Sequence, residues 1–346
     1  MNHYPSNVKE KLNSIILSMA EHHWLFSKNP GHDFTRQHLG KLSFYDTMRL
    51  IISMGKGSTN DEIMDYFDLD PDLIPSQSAF CQRRRQISLS AFEYLFSEFS
   101  SSFPSTTDKF KDHCILACDG CHVVYATNSD IIEDYNKPRL IDYKGYNHMH
   151  LNGFVDVISK AFLDVFIQPG QQPDEREALH SMLDHFTPDD PQKYIITADR
   201  GYESYDLLFH CELKNLGYVF RVKSPSSPKS ILSYYASEFP DDLEEFDVTI
   251  KRFFTDKATN IMKSQSDVYR YINPSKNTPH FYELLRKNHS HLYFLQFRVV
   301  KIKTAGISKT GNLFQPDSVQ FRHFYRKRSG RRKPEKETGW QQQVSL

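Results

Sequence analysis

The sequence predicts an α/β fold built on a mixed sheet, and three observations carry that reading. Two apolar runs each end in an aspartate: Cys114-Ile115-Leu116-Ala117-Cys118-Asp119 before Gly120, and Tyr194-Ile195-Ile196-Thr197-Ala198-Asp199 before Arg200-Gly201-Tyr202. Runs this short and apolar, bounded by turn residues, are strands buried on both faces. Between and after them, strand-like and helix-like segments interleave, which is the pattern of a sheet covered by helices.

The elements follow in order. Met149–Val157 and Phe162–Ile167 read as a hairpin with Ser159-Lys160 in its turn. Pro173 to Phe186 reads as a helix: Pro173 opens it, and Asp174, Glu175 and Glu177 sit where the positive dipole end favours acids. Ala178, Leu179, Met182, Leu183 and Phe186 recur at helical spacing. The strand ending at Asp199 comes next, then a helix over about 204–216 and a strand Tyr218–Lys223. Three antiparallel strands, a helix, then parallel strands joined by a helix make a mixed sheet of the ribonuclease H kind.

Residues 1–105 form a helical amino-terminal domain. Val8–Met19 and Ser43–Met54 have helical spacing, Ser58 caps a third helix, and Ser76 opens a fourth carrying Arg83, Arg84 and Arg85. Helix, turn and an arginine-bearing helix suit a helix-turn-helix with its second helix in the major groove. A run of arginines also suits a solvated face. Residues 106–224 form the sheet domain, and Ser224-Pro225-Ser226-Ser227-Pro228 marks a break. A β-rich insertion then spans 225–303, with alternating strands at Phe246–Ile250 and Tyr293–Val300; Arg252, Lys257, Arg270, Lys276 and Arg286 are its candidates for phosphate contact.

Asp119 and Asp199 on neighbouring strands would suit a hard divalent cation, bound by carboxylates and substrate phosphates. Asp before a Gly-containing turn is also ordinary turn chemistry. The surrounding residues are more specific. Asp119-Gly120, Asn152-Gly153-Phe154-Val155-Asp156, Glu175-Arg176-Glu177, Asp199-Arg200-Gly201-Tyr202-Glu203-Ser204-Tyr205 and Phe220-Arg221-Val222-Lys223 resemble a bacterial insertion-sequence transposase. The likeness is to the DDE-type branch in which Arg-Gly-Tyr follows the second catalytic aspartate. It implies a ribonuclease H-like core with Asp119 and Asp199 as catalytic, metal-binding acids, Mg²⁺ (or Mn²⁺) as cofactor, and strand cleavage and transfer at the ends of a mobile element. The partner it implies is double-stranded DNA, both element ends and target, bound by a homodimer. Arg200, Tyr202, Arg221 and Lys223 would be DNA-binding candidates beside Arg83, Arg84 and Arg85. Arg200 would hold a phosphate, and Tyr202 would pack the strand ends at the rim.

The resemblance also implies a third acid within a helix reading Tyr-x₂-Arg-x₃-Glu-x₆-Lys. Tyr325 and Arg328 keep the first spacing, but Arg332 and Gly339 stand where Glu and Lys are needed. Glu335 and Glu337 lie nearby, after the helix-breaking Pro334. The expected strand between Ala305 and Gln320 is not legible. Residues 304–346 are therefore expected to be an atypical basic tail, produced by truncation or a frameshift near Thr304, with catalysis impaired or lost.

The formal charge of +0 conceals this tail: from Phe321 onward eight basic residues face two acids, so the rest of the chain carries an acidic surplus of six. A basic tail neutralises phosphates, and a wrong-frame translation would look the same. Five cysteines without a spacing framework fit a reducing compartment. Cys118, Cys121 and His122 have no answering pair at zinc-finger spacing. No apolar run approaches the ~20 residues of a membrane span, so a cytoplasmic, nucleoid-associated protein is expected.

Overall fold

The computed structural model describes residues 4–35, 42–102, 110, 112–137, 145–240, 245–273, 278–301 and 319–322. The chain divides into two compact units: Met1–Thr107 with Ala161–Leu163, and Asp108–Lys160 with Asp164–Leu346.

The first unit is helical: α1 (Tyr4–Glu21), α2 (Phe44–Ser53), α3 (Thr59–Tyr66), α4 (Gln77–Gln86) and α5 (Leu89–Ser101). Serine side chains cap three of them. Ser43 Oγ accepts from the Asp46 amide at 3.0 Å while the Asp46 carboxylate takes the Ser43 N–H, a reciprocal capping box. Ser58 and Ser76 accept from Asp61 and Ala79 amides. Ile16, Met19, Phe34, Phe44, Met48 and Ala91 close one core, and Leu50, Ile63 and Phe80 a second beside α3 and α4.

The second unit holds β1 (Cys114–Tyr125), β2 (Tyr135–Asn136), β3 (Tyr146–Asp156), β4 (Phe162–Pro169) from Asp164 onward, α6 (Glu175–His185), β5 (Tyr194–Ala198), α7 (Tyr205–Leu213) and β6 (Gly217–Val222). It continues with β7 (Phe246–Thr255), α8 (Asn260–Ser264), β8 (Tyr269–Tyr271), α9 (Pro279–Lys287), β9 (Leu292–Lys301) and β10 (Val319–Arg322). The strands run β2-β3-β1-β5-β6-β10-β9-β7-β8, with β4 also on β3. β1 is antiparallel to β3 and parallel to β5, and β5 is parallel to β6. The β4-β3-β1-β5-β6 segment is the ribonuclease H-like mixed sheet. Lys160 takes the left-handed conformation, φ 63°, in the β3–β4 turn. Ala178, Leu179, Met182 and Leu183 are the buried face of α6.

Two expectations change. β1 does not end at Asp119. It runs on to Tyr125 because β3 is long enough to pair with it as far as Tyr125↔Asn147. β10 is a strand at the edge of the stretch where none was legible, antiparallel to both β6 and β9. Val319-Gln320-Phe321-Arg322 does alternate, but four residues are too few to stand out as a periodic signal. Through β10 the β7–β9 ribbon extends the central sheet. Its core joins Phe209 of α7 to Phe254, Phe281, Leu285, Phe297 and Val299, each large apolar side chain contributing roughly 1.5–3 kcal/mol on burial.

Candidate active site

β1 and β5 are in register through Cys118↔Ala198, so Asp119 and Asp199 occupy the next positions beyond that pair, where neighbouring strands lie about 4.8 Å apart. β5 stops at Ala198 while β1 continues alongside β3. Asp119 therefore sits where β1 loses its parallel partner, and the sheet opens there. Both aspartates are exposed. Asp119 Oδ1 accepts from the Gly120 amide at 2.9 Å and Asp199 Oδ1 from the Gly201 amide at 2.7 Å.

A third carboxylate reaches the same opening from the start of α6. Asp174 caps that helix through the Arg176 and Glu177 amides, which leaves Glu175 as its first residue. A methyl group on Gly201 would collide with Glu175 Oε2 and lie 3.0 Å from Asp199 Oδ1. The bare α-carbon of Gly201 is thus what lets the two acids face each other. Partial burial, then the charges of Asp199 and Asp119, raise the Glu175 carboxyl above its ordinary value. The helix dipole favours the anion at this position, but it does not reverse that direction.

His150 of β3 stands on the other side of Glu175, its Nε2 3.7 Å from Oε1. It is 4% exposed, and neither ring nitrogen has a hydrogen-bond partner among the described residues. Burial holds its pKa below the ordinary imidazole value, so it brings little compensating charge. Behind it, the Tyr202 hydroxyl donates to Asn152 Oδ1 at 3.2 Å, and Asn152 Nδ2 donates to Gln168 Oε1 at 3.2 Å. Burial pushes the neighbouring Cys118 thiol up to about 12, which removes it as a nucleophile.

The donor set fits a hard divalent cation. Three carboxylates converge on one opening, and the histidine against Glu175 favours its neutral form. The carboxylates do not form a closed cluster, however. Among the described residues, three ligand atoms come within 4.8 Å of one another at His180, His210 and His280 alone.

The other expected residues separate. Arg200 is exposed beside Asp199. Tyr202, named as a DNA-binding candidate, is fully buried, and its hydroxyl donates to Asn152. Lys223 pairs with the buried Glu203 at 3.4 Å, and Glu203 also accepts from Ser230 Oγ and the Ile231 and Lys223 amides. Arg221 is half-buried in β6, with Nε sequestered. Arg252, expected to be available for phosphate, is 6% exposed and paired with Glu238. Arg270 stacks on Tyr234 at 3.7 Å, whereas Lys257 and Arg286 are exposed. In α4, Arg84 and Arg85 are exposed, and Arg83 is engaged by Gln86 at 3.0 Å and the Phe34 ring. Glu335, Glu337, Tyr325, Arg328 and Lys276 lie outside the described residues.

Sequence reasoning read Glu175 as a helix-start acid and as part of a segment carrying the family resemblance, without giving it a place in the site. Its place beside the two aspartates depends on how α6 lies on β1 and β3, which no local signal encodes. No helix among the described residues is long and apolar enough to cross a membrane. No curated relative matches the chain significantly. The family model of the transposase DDE domain matches residues 110–336, a span that holds Asp119, Glu175, Asp199 and Glu335 and runs past Thr304, where the family likeness was expected to stop. With more than half of the 346 residues matched, and the ribonuclease H-like sheet carrying both aspartates inside that span, the chain belongs to the family of the transposase DDE domain.

Proposed function

We propose that this chain cuts and joins phosphodiesters at the ends of a mobile DNA element, with Asp119, Asp199 and Glu175 as the carboxylates that hold Mg²⁺ or Mn²⁺. The observation that supports this most is the approach of Glu175 to the opening between the two aspartates, across the bare α-carbon of Gly201. A bound divalent cation there would activate the attacking oxygen and stabilise the leaving one in an in-line displacement. The chain's own contribution is to fix the acids. Asp119 and Asp199 are each held by a backbone amide, Glu175 by the capped start of α6, and Gly201 keeps the space between them. Exposed Arg200 is suited to hold a phosphate beside Asp199.

The family implies a DNA partner; we read it as double-stranded, with Arg84 and Arg85 of α4 and the exposed Lys257 and Arg286 as its contacts. Paired ends suit a homodimer, and a reaction on DNA suits association with the nucleoid. Glu175 takes the role of the third acid whose absence was expected to impair catalysis. The alternative reading is a DNA-binding remnant without turnover.

The test uses the full chain on duplexes that carry the DNA flanking its own gene. Mg²⁺- or Mn²⁺-dependent nicking should vanish in Asp119→Asn and Asp199→Asn and fall at least tenfold in Glu175→Gln. Nicking that survives Glu175→Gln intact but is lost in Glu335→Gln or Glu337→Gln would remove Glu175 from the site. DNA binding with no nicking under any metal would establish the remnant.

A further inference from the structure

Three histidines from three helices meet in a cluster that includes none of the three acids. His180 of α6, His210 of α7 and His280 of α9 stack nearly parallel, with His210–His280 centroids 3.9 Å and His180–His280 centroids 4.4 Å apart. Each offers a nitrogen within 4.8 Å of the others. His210 is 2% exposed, and the side chains of His180 and His280 are 18% and 15% exposed.

Carboxylates hold the outer edges of the rings. Asp206, itself buried, accepts from His280 Nδ1 at 2.7 Å and from the His280 and Phe281 amides at 3.1 and 3.2 Å, and it lies 3.6 Å from His180 Nε2. Asp184 Oδ1 is 3.2 Å from His210 Nε2. Carboxylate-bound imidazoles that turn their second nitrogens inward are the arrangement that orients histidine ligands at metal sites.

Packing alone does not require this arrangement. His180 Nδ1 and His210 Nδ1 face each other at 2.9 Å. Two N–H groups or two bare lone pairs would repel there, so one proton must be shared or a cation must use both lone pairs. Imidazole nitrogens without thiolates suit a borderline transition ion. Zinc bonded at about 2.0–2.1 Å in a tetrahedron keeps its nitrogens roughly 3.4 Å apart, between the separations seen here. To seat it, the rings, now within 10–18° of parallel, would rotate out of their stack so that their in-plane lone pairs meet at the ion.

We propose that His180, His210 and His280 bind one Zn²⁺-like cation, which clamps the helices of the ribonuclease H-like core to α9 of the inserted segment. This site is independent of the Asp119–Asp199 opening and of the activity proposed for it.

The experiment takes the untagged full chain, strips it with a chelator and reloads it with Zn²⁺ or Co²⁺. The expected result is one tightly held Zn²⁺ per chain by elemental analysis, kept in an Asp119→Asn/Asp199→Asn variant and lost in His180→Gln and His210→Gln. Co²⁺ should give the strong visible absorption of tetrahedral nitrogen ligation in the unaltered chain, a reading that does not depend on any variant folding. A folded, unaltered chain that takes up no Zn²⁺ at micromolar free metal overturns the proposal. So does a Co²⁺ spectrum that is octahedral, or one that disappears with Asp119→Asn while surviving His210→Gln.

Discussion

The Tyr202 hydroxyl donates to Asn152 Oδ1 at 3.2 Å, joining the loop after Asp199 to the middle of β3. Asn152 passes the restraint to β4 through Gln168. The tyrosine of the Arg-Gly-Tyr signature thus holds the second aspartate's loop against the sheet.

Tyr202→Phe removes that donor and leaves a buried acceptor unsatisfied. Stability should fall by about 1–3 kcal/mol in urea unfolding, with DNA affinity unchanged. A variant of full stability that binds DNA more weakly would instead put the hydroxyl at the nucleic-acid surface.

Gly201→Ala should act on metal binding. The added methyl enters the space between Glu175 and Asp199, so Mn²⁺ affinity, read by titration calorimetry, should drop by roughly 10–100-fold while the fold persists. Unchanged affinity would mean that the two acids do not share an ion.

Arg84 and Arg85 should behave differently from Arg83. Alanine at either exposed position should weaken DNA binding and lower the salt slope by about one for each phosphate no longer neutralised. Arg83→Ala should chiefly cost stability, because its guanidinium is already committed to Gln86 and Phe34. Equal effects of all three on the salt slope would contradict this division.

Acid should destabilise the metal-free chain through the histidine stack. Burial, then His280, lowers His180 to about 4, with Asp206 and Asp184 opposing; burial, His280 and His180 lower His210 further. Above the unfolded value near 6.5 both states are neutral and nothing is lost. Between there and about 4 the unfolded chain alone takes the His180 proton, so stability should fall by ~1.4 kcal/mol per pH unit for that group, and His210, lowered further, adds a loss that continues to lower pH. Urea melts in chelator at pH 7, 6 and 5 test this, and His180→Gln should flatten the slope.

How much was legible depended on whether the signal was local. The Pro173–Asp174 start of α6, the serine caps and the Ser159-Lys160 turn are written in neighbouring residues, and the structure has them. The continuation of β1 past Asp119 was hidden because a Gly-containing stretch reads as a turn. Only the length of β3 keeps it a strand. Arg252 and Lys223 looked available because charge is visible in sequence, whereas their partners Glu238 and Glu203 are set by tertiary packing. The histidines of α6, α7 and α9 gave no motif, since each lies in a different helix and the three meet only when those helices pack together.

The seam at β10 also bears on how the protein is made. Among the described residues, β6 and β9 are joined in the sheet by a strand that is synthesised after both. Until Arg322 has left the ribosome, a nascent chain presents two unpaired strand edges, each a template for pairing with a neighbouring chain. Non-local closure of this kind is slow, so the interval before β10 docks is when a growing polypeptide of this design is most exposed to misassembly and most in need of a chaperone.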